Sequence, residues 1–283
     1  MIGAAASFAI MGALVKTLPR LPAWEITFFR ALTNVILLVP WALQNQVQVS
    51  KWRHEPKALL IRGVSGGCSA LLYIYAIGHM KLADAVMLNQ SSPLLVLLFA
   101  SLVLGERLSL YSVFFVLIAF SGIPLILKPG FQIRSDAELL GGMAGFASMF
   151  FAAIAYLSIK VATRSIASRM IVFTFAIVTT LMAAVPTAFS FINPTNGEWL
   201  RLLATGIFAT WAQELMTMGY VGLPASLASP ILLLMVPFST LIGWVAWGEL
   251  PDRWSFLGMI LICAGLLAAF RMNRPAKIAG SSA

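Results

Sequence analysis

Apolar runs of about 18 residues or more recur along this chain from end to end, and each is long enough to cross a hydrocarbon core roughly 30 Å thick. Inside a bilayer the protein itself must satisfy every backbone N–H and C=O, so only α-helices or a closed barrel can cross. The runs are too long for barrel strands and carry internal Gly and Pro, so they read as helices. Composition agrees. Of 283 residues, 60% are hydrophobic and 10% charged, where a soluble domain carries roughly 25% charged residues. No stretch between the runs is long enough to bury a core of its own. The expected fold is an all-α integral membrane protein, with the lipid bilayer as its surroundings.

Ten runs can be delimited: Met1–Lys16, Pro22–Leu43, Leu59–Met80, Ala83–Leu104, Ser109–Leu127, Leu139–Val161, Met170–Phe191, Trp199–Gly222, Ala225–Trp247 and Trp254–Phe270. The first lacks a basic leader and a cleavage site, so it reads as a span rather than a signal peptide. The net charge of +9 does not point to nucleic acid. The basic residues sit mostly in short loops, where they meet anionic headgroups and set orientation. Cys68 and Cys263 lie inside apolar runs and read as small buried hydrophobes rather than a disulfide. His54 and His79 belong to no HExxH or CxxC-type cluster, so neither a metal nor a cofactor is expected. The sequence carries no signal of an oligomeric state.

The chain repeats itself. The fourth run contains Pro93 and closes on Gly105-Glu106, with Tyr111-Ser112 and Gly122 following. A shift of 143 positions brings Gly248-Glu249, Trp254-Ser255 and Gly265 into the same spacings, after a run that contains Pro237. The same shift superposes Glu55, Leu59 and Gly63 on Glu198, Leu202 and Gly206; only the prolines slip, by one residue. Two units are therefore expected, residues 1–130 and 131–283, each with five spans. An odd number of spans forces the second unit to insert upside down relative to the first, an architecture recurrent in secondary transporters. The polar stretch Lys128 to Glu138 separates the units. Gly141 and Gly145 then stand four apart, a spacing that lets helices approach closely. Counting Lys and Arg gives eleven on the side of the termini, Arg62 among them, and seven on the other. Both termini are thus expected in the cytoplasm, with the protein in a bacterial inner membrane.

This pattern of ten spans in two halves, each closing on apolar run, Gly-Glu, apolar run, resembles the drug/metabolite transporter superfamily and, within it, the EamA-type transporters. Pro93 with Gly105-Glu106 and Pro237 with Gly248-Glu249 match positions that these proteins usually fill. Arg30, in Phe28-Phe29-Arg30-Ala31, matches an arginine often found in their second helix. The resemblance covers nearly the whole chain. It implies a transporter, often an exporter of amino acids, related metabolites or toxic compounds, and fixes no substrate. The repeat counterpart of Arg30 is Phe173, so any role of Arg30 is one-sided.

Polar side chains within the runs need a reason, since a charge at mid-helix costs roughly 2.5–3.5 kcal/mol on insertion scales. Thr210, Gln213, Glu214 and Thr217 fall at i, i+3, i+4 and i+7, on one helix face. Glu214 is the candidate proton-coupling residue; the alternative is a carboxyl tied to a neighbouring helix. Asn89, Gln90, Ser91 and Ser92 precede Pro93, which removes a backbone donor and frees carbonyls. They are candidates to line a cavity, the alternative being interhelical hydrogen bonds. Ser229-Pro230 is a weaker counterpart. Arg30 either attracts an anionic group or pairs with a carbonyl or Glu25. Tyr73, Tyr75 and Trp211 could stack on a flat substrate or simply pack or anchor at the interface. The candidate substrate-binding set is Tyr73, Asn89, Gln90, Ser92, Trp211, Gln213, Glu214 and Ser229, with Pro93 and Pro237 shaping helices. Glu106 and Glu249 read chiefly as helix-end residues.

The expected function is secondary transport of a small organic metabolite, outward, by alternating access between the halves. A proton or a counter-substrate would drive it, because the chain has no Walker motif. An exchanger for sugars or nucleotide-linked sugars on the same fold is the alternative. A membrane-embedded lipid enzyme would need clustered acids, histidines or a nucleophile with its base, and the deep interior offers Glu214, Arg30 and no His pair.

Overall fold

The computed structural model describes residues 1–46, 51–104, 110–127, 136–223 and 231–272. Gly105-Glu106, Ser229-Pro230, most of the break before the second unit and the basic residues Arg274 and Lys277 lie outside the described residues. Those described are helical throughout, without strands. In chain order the helices are α1 (Ile2–Lys16), α2 (Ala23–Gln44), α3 (Pro56–His79), α4 (Leu82–Asn89), α5 (Ser92–Leu104), α6 (Leu110–Leu127), α7 (Asp136–Ala162), α8 (Ser168–Phe189), α9 (Asn196–Gly222), α10 (Met235–Trp247) and α11 (Arg253–Met272). Short 3₁₀ turns, Lys51–His54 and Leu232–Leu234, precede α3 and α10. Among the described residues, five segments are long and apolar enough to cross a membrane: α2, α3, α4 continued into α5 as far as Phe99, α7 and α8. Four further helical segments are apolar but shorter.

Polarity is arranged for lipid. Leu181, Val185, Phe189 and Val245 stand exposed on the outside, while Asn34, Ser148, Thr205 and Thr217 are fully buried. A soluble protein would reverse this arrangement.

The fourth apolar run is not one helix. It breaks at Gln90-Ser91, where Ser91 N–H bonds Leu88 C=O (3.2 Å) and Leu94 N–H bonds Ser91 C=O (3.0 Å), both three residues back. Pro93 is the cause: it has no N–H to give and clashes with the preceding turn, yet it suits the start of a new helix. Pro237 holds the corresponding place in the first turn of α10.

Which helix packs on which follows the sequence repeat. α3 lies along α7 and α1 along α9; α2 packs on α8, and α6 on α11. Each contact maps onto another, or onto itself, when every helix is replaced by its counterpart 143 residues away. The α6–α11 seam shows the same correspondence at atomic scale. A Cβ built on Gly122 would lie 2.5 Å from Gly258 O, and one on Gly265 would lie 2.7 Å from Phe115 O. These two contacts are repeat images of each other. No side chain fits where two backbones touch this closely. Gly141 and Gly145 play a similar part on α7: a Cβ there would meet His79 Cβ at 2.8 Å and Leu88 Cδ1 at 2.9 Å.

At the end of the bundle away from Met1, ion pairs tie the first half of the chain to the second. Gly248 ends α10 with φ 65°, the left-handed region that favours glycine. This turns Glu249 so that its Oε2 accepts from Lys16 Nζ (2.7 Å) and from Leu82 N–H at the start of α4 (3.3 Å). Glu249 therefore does more than end its own helix: it caps a helix of the other unit. Nearby, Arg20 clamps Glu198 with two nitrogens, one of them Nε at 3.1 Å from Oε1. Glu198 also forms a capping box with Thr195 at the start of α9. Arg20 and then the Thr195 N–H hold the Glu198 carboxyl down to about 2.

Two outcomes follow from this packing. Gly122→Leu or Gly265→Leu should force α6 from α11, at a cost of about 1–3 kcal/mol or more. The melting temperature in detergent should fall for both and stay unchanged for Leu117→Ala on the exposed face of α6. A carboxyl with a depressed folded-state pKa stabilises above its unfolded value, near 4.5, and loses that contribution as pH falls toward about 2. The gap in melting temperature between wild type and Glu198→Gln should therefore be full at neutral pH and narrow as pH drops below about 4.5.

Candidate functional site

One chamber near the middle of the bundle collects polar side chains from both units. α2 contributes Arg30; α3 contributes Arg62, Ser69 and Tyr73; the break between α4 and α5 contributes Asn89 and Gln90. From the second unit come Tyr156 on α7, Phe175 on α8 and Gln213 on α9. Its volume is about 60 Å³, far below the roughly 300–1,000 Å³ of ordinary ligand pockets. As it stands the chamber is too small for an ordinary small-molecule ligand.

Its hydrogen bonding is uneven. Asn89 Nδ2 donates to Ser148 Oγ (3.0 Å) and to Ser69 Oγ (3.3 Å), which fixes the break against α7 and α3. Gln90 Nε2 donates to Leu232 C=O (2.9 Å) and so bridges the units. Arg62 Nη2 donates to Gln213 Oε1 (2.8 Å), and its guanidinium lies 4.0 Å over the Phe175 ring. Among the described residues, Arg30 Nη1 meets the thioether of Met11, at 3.6 Å. Arg30 Nε and Nη2, Arg62 Nε and the Tyr73 hydroxyl are buried without a partner. Both arginines are only 3% exposed. Unpaired cations at that depth are costly, and the Gln213 bond and the cation–π contact offset part of the cost for Arg62 alone.

Of the residues singled out by sequence, Tyr73, Asn89, Gln90 and Gln213 line the chamber. Ser92 is fully buried just beyond Gln90 but does not line it. Glu214, one residue on from Gln213, points out of the chamber, where its Oε1 accepts from Arg169 Nε at 3.0 Å. Trp211 is 55% exposed and packs edge-on against Phe208 on the outer surface. Ser229 lies outside the described residues. Pro93 shapes the break. Pro237 faces an apolar outer groove with Trp244 and Phe256. Of the stripe on α9, Thr210 bonds Asn34 across to α2 (2.6 Å), and Thr217 is fully buried. Glu25 does not pair with Arg30; its Oε2 accepts from Ile192 N–H at 3.0 Å.

Arg62 was missed, having been counted among the charges at the membrane surface. Its burial leaves ten basic residues against seven. A signal was present: Arg62, Gly66, Ser69 and Tyr73 fall at i, i+4, i+7 and i+11, one small-and-polar stripe along α3, and all four line the chamber. Phe175 and Tyr156 carried no such signal, because an aromatic in an apolar run looks the same whether it packs or lines a site. The chamber has donors and aromatic rings but no carboxylate among its lining. Among the described residues no group of three or more His, Cys, Asp or Glu could hold a metal ion. Such an arrangement can bind and orient.

Comparison with known proteins places this arrangement in context. Residues 1–128 and 139–271 each match the EamA-like transporter family. The pseudopaline exporter of Pseudomonas aeruginosa strain UCBPP-PA14 is 34% identical over 271 residues, covering 95% of this chain and 93% of that one. A riboflavin transporter of Brucella anthropi is 23% identical over 282 residues, covering 96% of this chain and 98% of that one. A solved crystal structure superposes with a TM-score of 0.65 at 21% identity, over 95% of this chain and 94% of that chain, and shares the fold. The chain belongs to the EamA-like transporter family: it is an integral membrane transporter of small molecules, not an enzyme.

Proposed function

We propose that this protein is a secondary exporter of a small organic metabolite, working by alternating access around the central chamber. The observation that carries this reading is the chamber itself, a buried polar site lined from both units and bridged by Gln90 to Leu232 and Arg62 to Gln213. In this reading residues 1–130 and 131–283 are inverted units of five membrane crossings each. The exchangeable helix contacts and the paired glycine seams support it. The basic-residue count, ten against seven, favours cytoplasmic termini in a bacterial inner membrane. Outward transport is favoured by the named activity of the Pseudomonas relative.

Tyr73, Asn89, Gln90 and Gln213, with Arg30 and Arg62, form the substrate site. Lys16–Glu249 and Arg20–Glu198 close the outer end, and both pairs must open for release. Glu214 ties α9 to α8 through Arg169 and stands apart from the substrate path. A counter-substrate, or a proton carried elsewhere, then supplies the driving force.

Comparing the medium of overexpressing and deletion cells identifies the exported compound, and labelled flux in sealed vesicles tests the site. Asn89→Ala and Gln213→Ala should each lower flux by about tenfold at unchanged protein level, the loss of roughly 1.4 kcal/mol of binding. Trp211→Ala should leave flux unchanged. Equal flux in all three variants would put the path elsewhere. Glu214→Gln should keep accumulation under an imposed pH gradient within about twofold of wild type, since no substrate contact of about 1 kcal/mol is removed. Loss of that accumulation with exchange retained would make Glu214 the proton-coupling residue after all.

A further inference from the structure

The chamber holds two positive charges and, among the described residues, no carboxylate in its lining to balance them. Arg30 and Arg62 come from different helices into one space, each 3% exposed. No aspartate or glutamate lines that space. Glu25 accepts from the Ile192 N–H and Glu214 from Arg169, both outside the lining, and the buried Asp84 of α4 does not line the chamber either. The polar atoms of the lining left without a partner are three guanidinium nitrogens and the Tyr73 hydroxyl, all able to donate. Phe175 under Arg62 and Gln213 at its Nη2 fix the plane of that guanidinium while leaving its Nε edge open. This is how a protein holds an arginine ready for an acidic group: oriented, desolvated and unpaired.

We propose that Arg30 and Arg62 form a two-cation recognition site, and that the compound carried through this chamber is a small organic dianion with one acidic group for each guanidinium. The inference rests on the chamber being the substrate site. A neutral compound would leave two buried charges unbalanced, and a monoanion would leave one. A dianion neutralises the chamber, supplies acceptors for the orphaned donors and lets the helices close over it. The neutral amides of Asn89 and Gln90 and the Tyr73 hydroxyl then read the part between the acidic groups. A cationic compound finds no partner here.

The test uses the purified full chain in detergent and its melting temperature as the readout. The probes are succinate, glutarate and glycerol phosphate as dianions, succinamate and butyrate as monoanions, succinamide as the neutral form and putrescine as the dication. The wild type should be stabilised by dianions at concentrations at least tenfold lower than by their monoanionic analogues. The better of the dicarboxylates and glycerol phosphate tells whether the second acidic group is a carboxylate or a phosphate. Arg30→Gln and Arg62→Gln should each erase the tenfold advantage. Neither should melt below the ligand-free wild type, because each removes an unbalanced buried charge; a merely structural arginine would give the opposite. Arg62→Lys should retain a reduced advantage. The wild-type series stands alone should a variant fail to fold.

Equal stabilisation by succinamide or putrescine, no dianion shift at up to about 10 mM, or an unchanged preference in both glutamine variants overturns the proposal. Vesicle flux separates the two readings. A dianion shift lost in the variants, with no flux of that compound under any gradient, keeps the recognition site and removes its part in transport. Flux of a neutral or cationic compound that both glutamine variants leave unchanged keeps transport and removes the recognition site.

Discussion

A guanidinium in hydrocarbon must be surrounded by protein, and its cost must be met by something other than water. Arg30 and Arg62 impose that condition at the centre of this bundle. Helices α1, α2, α3, α7, α8 and α9 converge so that neither charge meets lipid, and the polar break between α4 and α5 closes the remaining side. The bundle is therefore apolar outside and polar at its middle. An ordinary apolar core would pack better and bind nothing.

The same constraint explains the break at Gln90-Ser91. A continuous helix would satisfy all of its own backbone groups and keep its side chains on a helical stripe. Pro93 interrupts it, and Asn89 and Gln90 gain a geometry in which one amide spans to Ser148 and the other to Leu232 of the opposite unit. Irregular backbone at this depth is tolerated where it lines a cavity. In the tight α6–α11 seam small residues let backbones touch, dispersion contacts hold them, and Ser112 Oγ donates across it to the Ala269 C=O (3.1 Å). The bundle thus has a seam at which backbones meet and, at the end away from Met1, salt links between the two halves of the chain.

Much of this was legible in the chain. Most apolar runs coincide with helices to within a few residues, but the fourth is split at Gln90-Ser91 and the α-helix of the ninth begins only at Met235. The Gly122 and Gly265 register pointed to a shared packing role, and both glycines sit where a side chain cannot. Asn89, Gln90, Gln213 and Tyr73 were readable as polar or amphipathic groups in apolar surroundings. Two placements were open to a second reading. Arg62 lies near the start of its run, where a snorkelling surface arginine looks the same. Glu214 lies next to Gln213, and the 100° between neighbouring helix residues sends one into the chamber and the other out to Arg169.

By itself, then, the sequence determined the solvent this protein lives in, the helices it must form, the repeat and the positions that must stay small, because each follows from local chemistry summed along the chain. Only the tertiary structure decided which charges share a space. Arg30 and Arg62 are 32 residues apart, Arg62 and Gln213 are 151 apart, and Lys16 and Glu249 are 233 apart. No pattern along a chain encodes such meetings. They depend on how far each helix is rotated when its neighbours pack, and that rotation is set by all the contacts at once.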